Sequence, residues 1–481
     1  MPHGLQLDMN FEEKRTNRLR DSLGRGTFTV LVEASLPEEE IDRNGAAERL
    51  NILEKNVLGC AKDNFCTGLA ITDFQTGGRR WRAAEYATFL LQENRDRHAV
   101  YISGYDTLPK QAEELITIAV NAGFCNIVPV SGTSPVPCSV KECRRINFTE
   151  STQMLSMAQK ADDICCGSVV NPFQYMAYPL LGQYFKAVKK LHLGANFLVT
   201  QAGWDMLKIQ SFAWFMMNRK LYYPMLARLM ILTPDRVEDI AAGKIAGVRI
   251  SNDFRKILER ELHYSTNQFE AAQYRRIELQ AAGCRLMGFS GIQLCGAENP
   301  VRIKMILSRI ERALAEYTDF SVWLEEYNAY MASAEMAPFS NNFQLFDPIL
   351  CRDYPLDEEV LSNDIGEPVC GKAESALLKL RELFFRNADT QHAGHLHFAK
   401  TLFAGCKGCS ECRLPLREFV CPENCPERLA DGPCGGIRSN GMCLYGNFEC
   451  VHSKIVRFSH KRGTLAQFEN KMVKQASKQG K

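Results

Sequence analysis

Short apolar runs alternate with longer amphipathic stretches along most of the chain before residue 300. Most of these runs are continuously apolar, which is typical of strands that are buried on both faces of a parallel sheet. The amphipathic stretches between them, such as 46–57, 82–94 and 109–123, predict helices. The pattern predicts eight strands, at residues 28–34, 67–74, 98–104, 126–132, 164–171, 196–203, 224–232 and 288–296.

This alternation of strands and helices indicates an α/β fold with a parallel sheet. Eight β-α units within about 270 residues match the number and size of a (β/α)8 barrel of the TIM type. A doubly wound open sheet is the alternative, because periodicity alone does not separate the two folds. The first run lacks a following Gly-x-Gly-x-x-Gly turn, which argues against a dinucleotide-binding sheet. We therefore predict the barrel.

The chain after the barrel is less regular. An amphipathic segment at 299–317 predicts the last barrel helix, and segment 331–371, rich in proline, asparagine and acidic residues, predicts a linker. A helix is expected at 372–387. The final segment, 454–481, carries eight Lys or Arg against one Glu. It predicts a solvated tail or, alternatively, a docking site for an acidic electron carrier. The predicted division is a barrel at 1–320, a linker and helical lead-in at 321–390, and a cysteine-rich module with a basic tail at 391–481.

Composition and charge exclude several classes of function. The 481 residues are 46% hydrophobic and 24% charged, as is typical of globular proteins, and their net charge of +2 gives no basis for nucleic-acid binding. The opening MPHGLQLDMNFEEKR lacks the apolar centre of a secretory signal. No apolar run reaches the ~18 residues of a membrane span. We expect a cytoplasmic protein without a nucleic-acid partner or a membrane span.

Cysteines are concentrated near the end of the chain. Of 19 cysteines, eight lie at Cys406, Cys409, Cys412, Cys421, Cys425, Cys434, Cys443 and Cys450. The first three have C-x2-C-x2-C spacing, which wraps three corners of an iron–sulfur cubane when a fourth thiolate comes from farther away. Eight thiolates suit two [4Fe–4S] clusters. Zinc is the alternative for one or both centres, since zinc sites built from four cysteines share this spacing, and free or disulfide-bonded thiols are a third. The sequence predicts a small cysteine-rich metal-binding domain. One of His392, His395 and His397 adds a metal ligand to it, or all three are surface residues that precede it.

Two parts of the sequence resemble one family. The phrase CPENCPERLADGPCGG, at 421–436, resembles the cysteine-rich module of acetogen-type methylenetetrahydrofolate reductases. The region before the linker resembles the flavin-dependent barrel of methylenetetrahydrofolate reductase. The resemblance rests on VLVEASLP (30–37), NIVPVSGT (126–133), VVNPFQY (169–175) and LGANFLVTQAGWD (193–205).

The resemblance implies an oxidoreductase of the CH–NH class that reduces 5,10-methylenetetrahydrofolate to 5-methyltetrahydrofolate with FAD or FMN. It implies that Glu33 is the general acid that protonates the departing nitrogen, and that Gln201, Thr200 and Asp73 bind the substrate. The implied flavin contacts are Thr72, Ser131, Gly132, Thr133, Asn171, Pro172 and Tyr175. Two departures stand out: the family's Leu-Arg-Gly-Asp strand end is Val130–Thr133 here, which removes a carboxylate, and only Pro172 remains of the usual tyrosine, proline and histidine.

Each of the main barrel residues also has a purely structural interpretation. Glu33 could pair with an arginine at the barrel rim, and Gln201 could cap a loop. Asp73 could replace the missing carboxylate or simply initiate a turn.

The resemblance also implies partners. Electrons would come from a ferredoxin-like carrier through the iron–sulfur centres, or from an NAD(P)H-linked donor if the module holds zinc, and further subunits could complete the assembly. Two alternatives remain at this point. One is a non-catalytic electron-transfer or docking subunit of such a reductase, and the other is a reductase of another pterin C1 carrier, such as tetrahydromethanopterin.

Overall fold

Eight parallel strands close into a barrel in the order of the sequence, from β1 to β8. The computed structural model describes residues 16–37, 40–73, 81–134, 137–297, 299–335, 370–386, 397–409, 412–438 and 440–476. The strands are β1 Phe28–Ser35, β2 Phe65–Thr72, β3 Ala99–Ser103, β4 Asn126–Val130, β5 Cys165–Val170, β6 Phe197–Thr200, β7 Met225–Met230 and β8 Gly291–Cys295. Parallel pairing of Thr29 with Gly291 joins β1 to β8. The TIM-type barrel is confirmed, and each strand overlaps its predicted run, although β2 begins two residues earlier than predicted.

Helices flank the barrel and continue into the cysteine-rich region. They are α1 Arg18–Arg25, α2 Arg43–Leu58, α3 Ala83–Ala87, α4 Pro109–Asn121, α5 Val140–Cys143, α6 Ser151–Ala158, α7 Ala177–His192, α8 Met206–Asn218, α9 Pro234–Ala241, α10 Asn252–Tyr264, α11 Thr266–Leu286, α12 Pro300–Glu316, α13 Phe320–Ser333, α14 Lys372–Phe385, α15 His397–Ala404, α16 Val451–Arg462 and α17 Gln467–Asn470. Many begin where the sequence offers a cap: Asp42 accepts a hydrogen bond from Gly45 N, and Ser251 accepts one from Phe254 N.

One predicted helix is divided. The amphipathic segment 82–94 forms the short helix α3 and then a separate 3-10 helix at Gln92–Arg97. The guanidinium of Arg95 donates hydrogen bonds to the carbonyls of Thr88 (2.8 Å) and Leu90 (3.1 Å). These bonds occupy carbonyl groups that a continuous helix would use internally, which is why the helix ends early.

The barrel interior is filled at the end where the strands begin. Leu31, Val128, Phe197 and Leu226 form an inner cluster, which Leu19 and other residues of α1 complete. Gly167 makes room for the Phe197 ring, since a Cβ at this position would lie 2.5 Å from it. Open space for a ligand therefore remains at the opposite end, where the strands terminate.

The basic final segment is not a solvated tail over the residues that the structure describes. Helix α16 packs against α7, with Ile455, Val456 and Phe458 buried, and Phe468 and Val473 beyond it are also buried. The prediction of a solvated tail is wrong for 454–476, because these apolar residues pack against the rest of the molecule.

The two arginines of α16 are paired instead of free for docking. Arg457 forms ion pairs with Glu374 and Glu449, and Arg462 pairs with Glu382 and Glu418. Most of the predicted linker, at 336–369, lies outside the described residues, so the proposed domain boundaries stay predictions. Among the described helices, none combines the length and apolarity that crossing a membrane requires.

Candidate active site at the barrel mouth

A cavity of about 230 Å³ opens where the barrel strands end, which is the usual position of active sites in TIM barrels. It brings together eight of the eleven predicted barrel residues: Glu33, Thr72, Asp73, Ser131, Gly132, Thr133, Asn171 and Gln201. The other three predicted residues, Thr200, Pro172 and Tyr175, are not part of its wall. Tyr175 is 51% exposed and donates a hydrogen bond to Asp205 (3.1 Å).

Glu33 lies at the mouth end of β1 and is only 2% exposed. Arg228 from β7 contacts both of its carboxylate oxygens, with Nη2 at 2.6 Å from Oε1 and 2.9 Å from Oε2. The Arg228 Nε lies 3.3 Å from Oε2. This is the arginine pairing that the sequence analysis left as the alternative for Glu33, and the general-acid role stays a prediction.

Arg228 also organises the neighbouring strand β6. Its Nη1 donates to Gln201 Oε1 (2.8 Å), and its backbone N–H donates to Thr200 Oγ1 (3.0 Å). Burial alone would lower the pKa of Arg228, but the charge of Glu33 raises it above the usual value. The predicted acid and the predicted substrate amide are thus joined through one arginine that the sequence analysis did not identify.

Gln201 and Asp73 both make structural contacts in addition to lining the cavity. The Gln201 Nε2 donates to the carbonyl of Ala246 (3.2 Å), so the amide holds the loop after α9. The Asp73 carboxylate accepts a hydrogen bond from Ala83 N (2.6 Å) at the start of α3. The loop-capping alternative for Gln201 agrees with its contact, whereas the turn that Asp73 could initiate lies outside the described residues. The ligand-binding roles of both residues stay predictions.

Two lysines of α7, Lys186 and Lys190, also line the cavity, and Lys186 forms a buried ion pair with Glu150. The Lys190 Nζ donates to Val169 O (2.8 Å), and burial lowers the pKa of Lys190 to about 7. The sequence pattern does not single out these residues. Their spacing of four places on one helix face was the available signal, but it is also the spacing of an ordinary solvated face.

The cysteine-rich module forms part of the same cavity. Pro433, Cys434 and Gly435 line it beside the barrel residues. The Asn171 amide donates to Gly435 O (2.8 Å) and to Gly247 O (3.2 Å), which ties together the two loops that cover the strand ends. Since both polypeptide regions supply walls, the cavity belongs to the barrel and the module jointly.

The first four module cysteines, Cys406, Cys409, Cys412 and Cys421, line one small space together with Arg413 and Lys400; we call them the outer set. Arg413 Nη2 lies 3.5 Å from the Cys409 sulfur, and the Gly408 N–H lies 3.5 Å from the Cys406 sulfur. Burial raises the pKa of Cys421 to about 11. Donors directed at sulfur are a common feature of thiolate centres.

The other four, Cys425, Cys434, Cys443 and Cys450, form the inner set. Electrostatic interactions connect Cys434 with Cys425 and Cys450, and Cys443 with Cys450. Burial raises the pKa of the Cys443 thiol to about 12. A bound cation would reverse this effect, because a coordinating thiol loses its proton.

The two sets suit four-thiolate centres by donor chemistry and by grouping. No disulfide joins any of the eight, and all are free thiols. As placed, no three His, Cys, Asp or Glu side chains in the described part of the chain are arranged to hold a metal ion. The fit therefore rests on the space that the outer set shares and on the electrostatic interactions that connect the inner set. His392 and His395 lie outside the described residues, as does the side chain of His397.

Comparisons with known proteins give one informative match. No curated protein matches this chain. Among solved structures, a chain described as a deoxyribose-phosphate aldolase from Toxoplasma gondii ME49 is 11% identical, with 63% of this chain and 97% of that chain covered and a TM-score of 0.31. Its apo form is 10% identical, with 63% and 100% covered and a TM-score of 0.31. These scores are too low to support an inference about the reaction.

The informative match concerns the C-terminal part of the chain. Residues 385–479 match a family described as the C-terminal part of methylene-tetrahydrofolate reductase. This range contains both cysteine sets and helices α15 to α17. The cysteine-rich module is therefore similar to the C-terminal part of methylene-tetrahydrofolate reductases.

Proposed function

We propose that this chain is a flavin-dependent reductase of 5,10-methylenetetrahydrofolate, and that its electrons arrive through the cysteine-rich module. The observation that carries the proposal is the position of Cys434. This member of the inner set lines the same cavity as Glu33 and Gln201. A module that served only assembly would not need a thiol at the ligand cavity. The match of residues 385–479 to a reductase C-terminal family supports the same conclusion.

The cavity suits a flavin and a pterin in its charge and polarity. Lys190 offers a cationic group to an anionic ligand, and Ser131 and Thr133 offer hydroxyl groups on the loop after β4. Gln201 presents an amide that both donates and accepts, as a pterin edge requires. Hydride transfer to the substrate carbon is the chemistry that a bound reduced flavin supplies.

Glu33 would supply the proton in this reaction. Opening the five-membered ring of the substrate places negative charge on the departing nitrogen, which a nearby carboxylic acid can protonate. Arg228 holds the Glu33 carboxylate in place, and Glu33 must first take up a proton in order to donate one. We propose that substrate binding displaces part of the Arg228 contact, since both groups face the cavity.

The module would supply electrons one at a time. Each cysteine set would hold one four-thiolate centre. The outer set begins at Cys406, and the inner set places Cys434 at the cavity. Iron–sulfur clusters transfer single electrons when they are bound in such centres. If both sets held zinc instead, the electrons would have to enter the cavity directly from an NAD(P)H-linked donor.

A rapid-mixing experiment tests the proposed reaction. Reduced, flavin-loaded protein is mixed anaerobically with 5,10-methylenetetrahydrofolate, and flavin reoxidation and 5-methyltetrahydrofolate are measured. The Glu33→Gln variant should retain flavin and its reduction by artificial donors but lose about a hundredfold or more in reoxidation rate. Glu54→Gln serves as the control, because Glu54 is also a buried, paired carboxylate and contacts His98 at the opposite end of the barrel. Unchanged reoxidation in Glu33→Gln would exclude Glu33 as the acid.

One observation favours a second candidate, a non-catalytic electron-transfer subunit. The bidentate Arg228 contact engages both oxygens of Glu33, and the loop after β4 lacks the family carboxylate at Thr133. Under this alternative the wild-type chain transfers electrons to a partner but forms no 5-methyltetrahydrofolate in the same experiment.

A further inference from the structure

Barrel side chains bind six consecutive backbone groups of the module, at residues 430–435. Glu150 accepts hydrogen bonds from the N–H groups of Ala430 (2.9 Å) and Asp431 (3.0 Å). The next four residues use their carbonyls: Lys186 donates to Gly432 O (3.1 Å) and Pro433 O (3.3 Å), Gln183 donates to Cys434 O (2.6 Å), and Asn171 donates to Gly435 O (2.8 Å). The barrel thus holds this segment as a binding groove holds an extended peptide.

Glu150 lies at the centre of this arrangement. It is 1% exposed and directly precedes α6. Besides the two module amides, its Oε1 accepts from Lys186 Nζ (2.9 Å), and that same Nζ donates to the carbonyls of Gly432 and Pro433. One buried ion pair therefore binds both the N–H groups and the carbonyl groups of the segment. Hydrogen bonds with a charged partner are about twice as strong as neutral ones.

A second anchor holds the same segment from another direction. The Asp431 carboxylate is buried and accepts from Lys189 Nζ (2.6 Å), Arg417 Nη2 (2.8 Å) and Val473 N (3.0 Å). Burial alone would raise the pKa of Asp431, but Lys189 and Arg417 lower it below the usual value. The segment is thus fixed to α7 and to the rest of the module at once.

Glu150 itself does not line the cavity, whereas Pro433, Cys434 and Gly435 do. We propose that Glu150 is a positioning residue that fixes segment 430–435 as a permanent wall of the ligand cavity, so that the barrel's ligand binds between barrel and module. The identity of that ligand as a flavin rests on the function proposed above. Because Glu150 acts only through the segment and Lys186, a change at Glu150 affects ligand binding indirectly.

Two measurements on the full chain test this proposal, with FMN and FAD as the probes. Glu150→Gln preserves the volume of the side chain but removes its charge and places an amide against two N–H donors. We expect hydrogen exchange of the Ala430 and Asp431 amides, the two that donate to Glu150, to become at least about tenfold faster, and the flavin Kd to rise about tenfold. Glu54→Gln is the matched control and should leave both quantities within about twofold. If Glu150→Gln does not fold, Asp431→Asn weakens the same segment at its other anchor and is measured in its place, with the same expectations.

Each outcome has a defined meaning. Unchanged exchange of the Ala430 and Asp431 amides in the variant would overturn the positioning role of Glu150. Faster exchange with an unchanged flavin Kd would show that the segment is not a wall of the binding site, and would also overturn the proposal. If the wild-type chain binds neither FMN nor FAD, the proposed function fails, while the exchange comparison still decides whether Glu150 fixes the segment.

Discussion

The Glu33–Arg228 pair predicts a large and measurable coupling in stability. Glu33 is 2% exposed and the Arg228 side chain is 16% exposed, and the two share three contacts between 2.6 and 3.3 Å. Replacing Arg228 by Met leaves a carboxylate without a counter-charge inside the barrel mouth. The loss of one partner from a buried ion pair costs about 3–5 kcal/mol of the free energy of unfolding.

The reverse change is expected to cost less. In Glu33→Gln the arginine keeps its hydrogen bond to Gln201 (2.8 Å) and its partial contact with water, so we expect a loss of about 2 kcal/mol. The double variant removes both charges together and should cost only about 3 kcal/mol, since neither group is left unpaired. The sum of the single losses then exceeds the double loss by at least about 2 kcal/mol.

Urea unfolding of the four proteins, followed by tryptophan fluorescence, measures this coupling. The tryptophans report on the barrel region, because they are Trp81, Trp204, Trp214 and Trp323. Additive losses within about 0.5 kcal/mol would refute the coupling. A loss below about 1 kcal/mol for Arg228→Met would show that the carboxylate is not held as an ion pair, which would remove the structural basis for its position.

Two further predictions concern the module contacts. Gly247→Ala should destabilise the protein by at least about 2 kcal/mol in thermal unfolding, because Gly247 has φ +76° and a Cβ there would lie 2.5 Å from Gly435 O. Gly243→Ala is the control: Gly243 has φ +72° but open space around it, so this change should cost only about 1 kcal/mol. A hydrogen bond from Arg457 lowers the pKa of Glu374 to about 2. The ionised Glu374 therefore adds about 1–2 kcal/mol to the free energy of unfolding at any pH above its unfolded-state pKa of 4.5, and this contribution is lost as the pH falls towards 2. Glu374→Gln should therefore lower the free energy of unfolding in urea near pH 7, and the loss should shrink progressively below about pH 4. An equal loss at pH 7 and below pH 4 would contradict this prediction.

The strands were predictable because a barrel strand is covered on both faces, so its sequence is continuously apolar. Arg228 is an exception to this apolar pattern. It is the charged residue within the apolar run 224–232, and a buried charge needs a partner. The pattern therefore indicates a paired site in this strand, but it does not say which carboxylate is the partner, since Glu33 is 195 positions away.

The joint cavity could not be predicted from local pattern. Its contacts span long separations, such as the 251 positions between Gln183 and Cys434. Helix α7 shows the difficulty most clearly, because its lysines suggest a solvated face while the structure buries Lys186, Lys189 and Lys190 between barrel and module. The same packing explains why the basic final segment is ordered by contacts with α7 and not by its own composition.

The proposed function requires that the module deliver electrons to a ligand in the barrel cavity. The most direct test is metal, acid-labile sulfide and flavin content, with a visible spectrum, on anaerobically purified protein. We expect bound flavin together with roughly eight irons and matching sulfide, as two cubane clusters require. Zinc without sulfide would contradict the electron-carrying role of the module and leave it as a structural wall of the cavity.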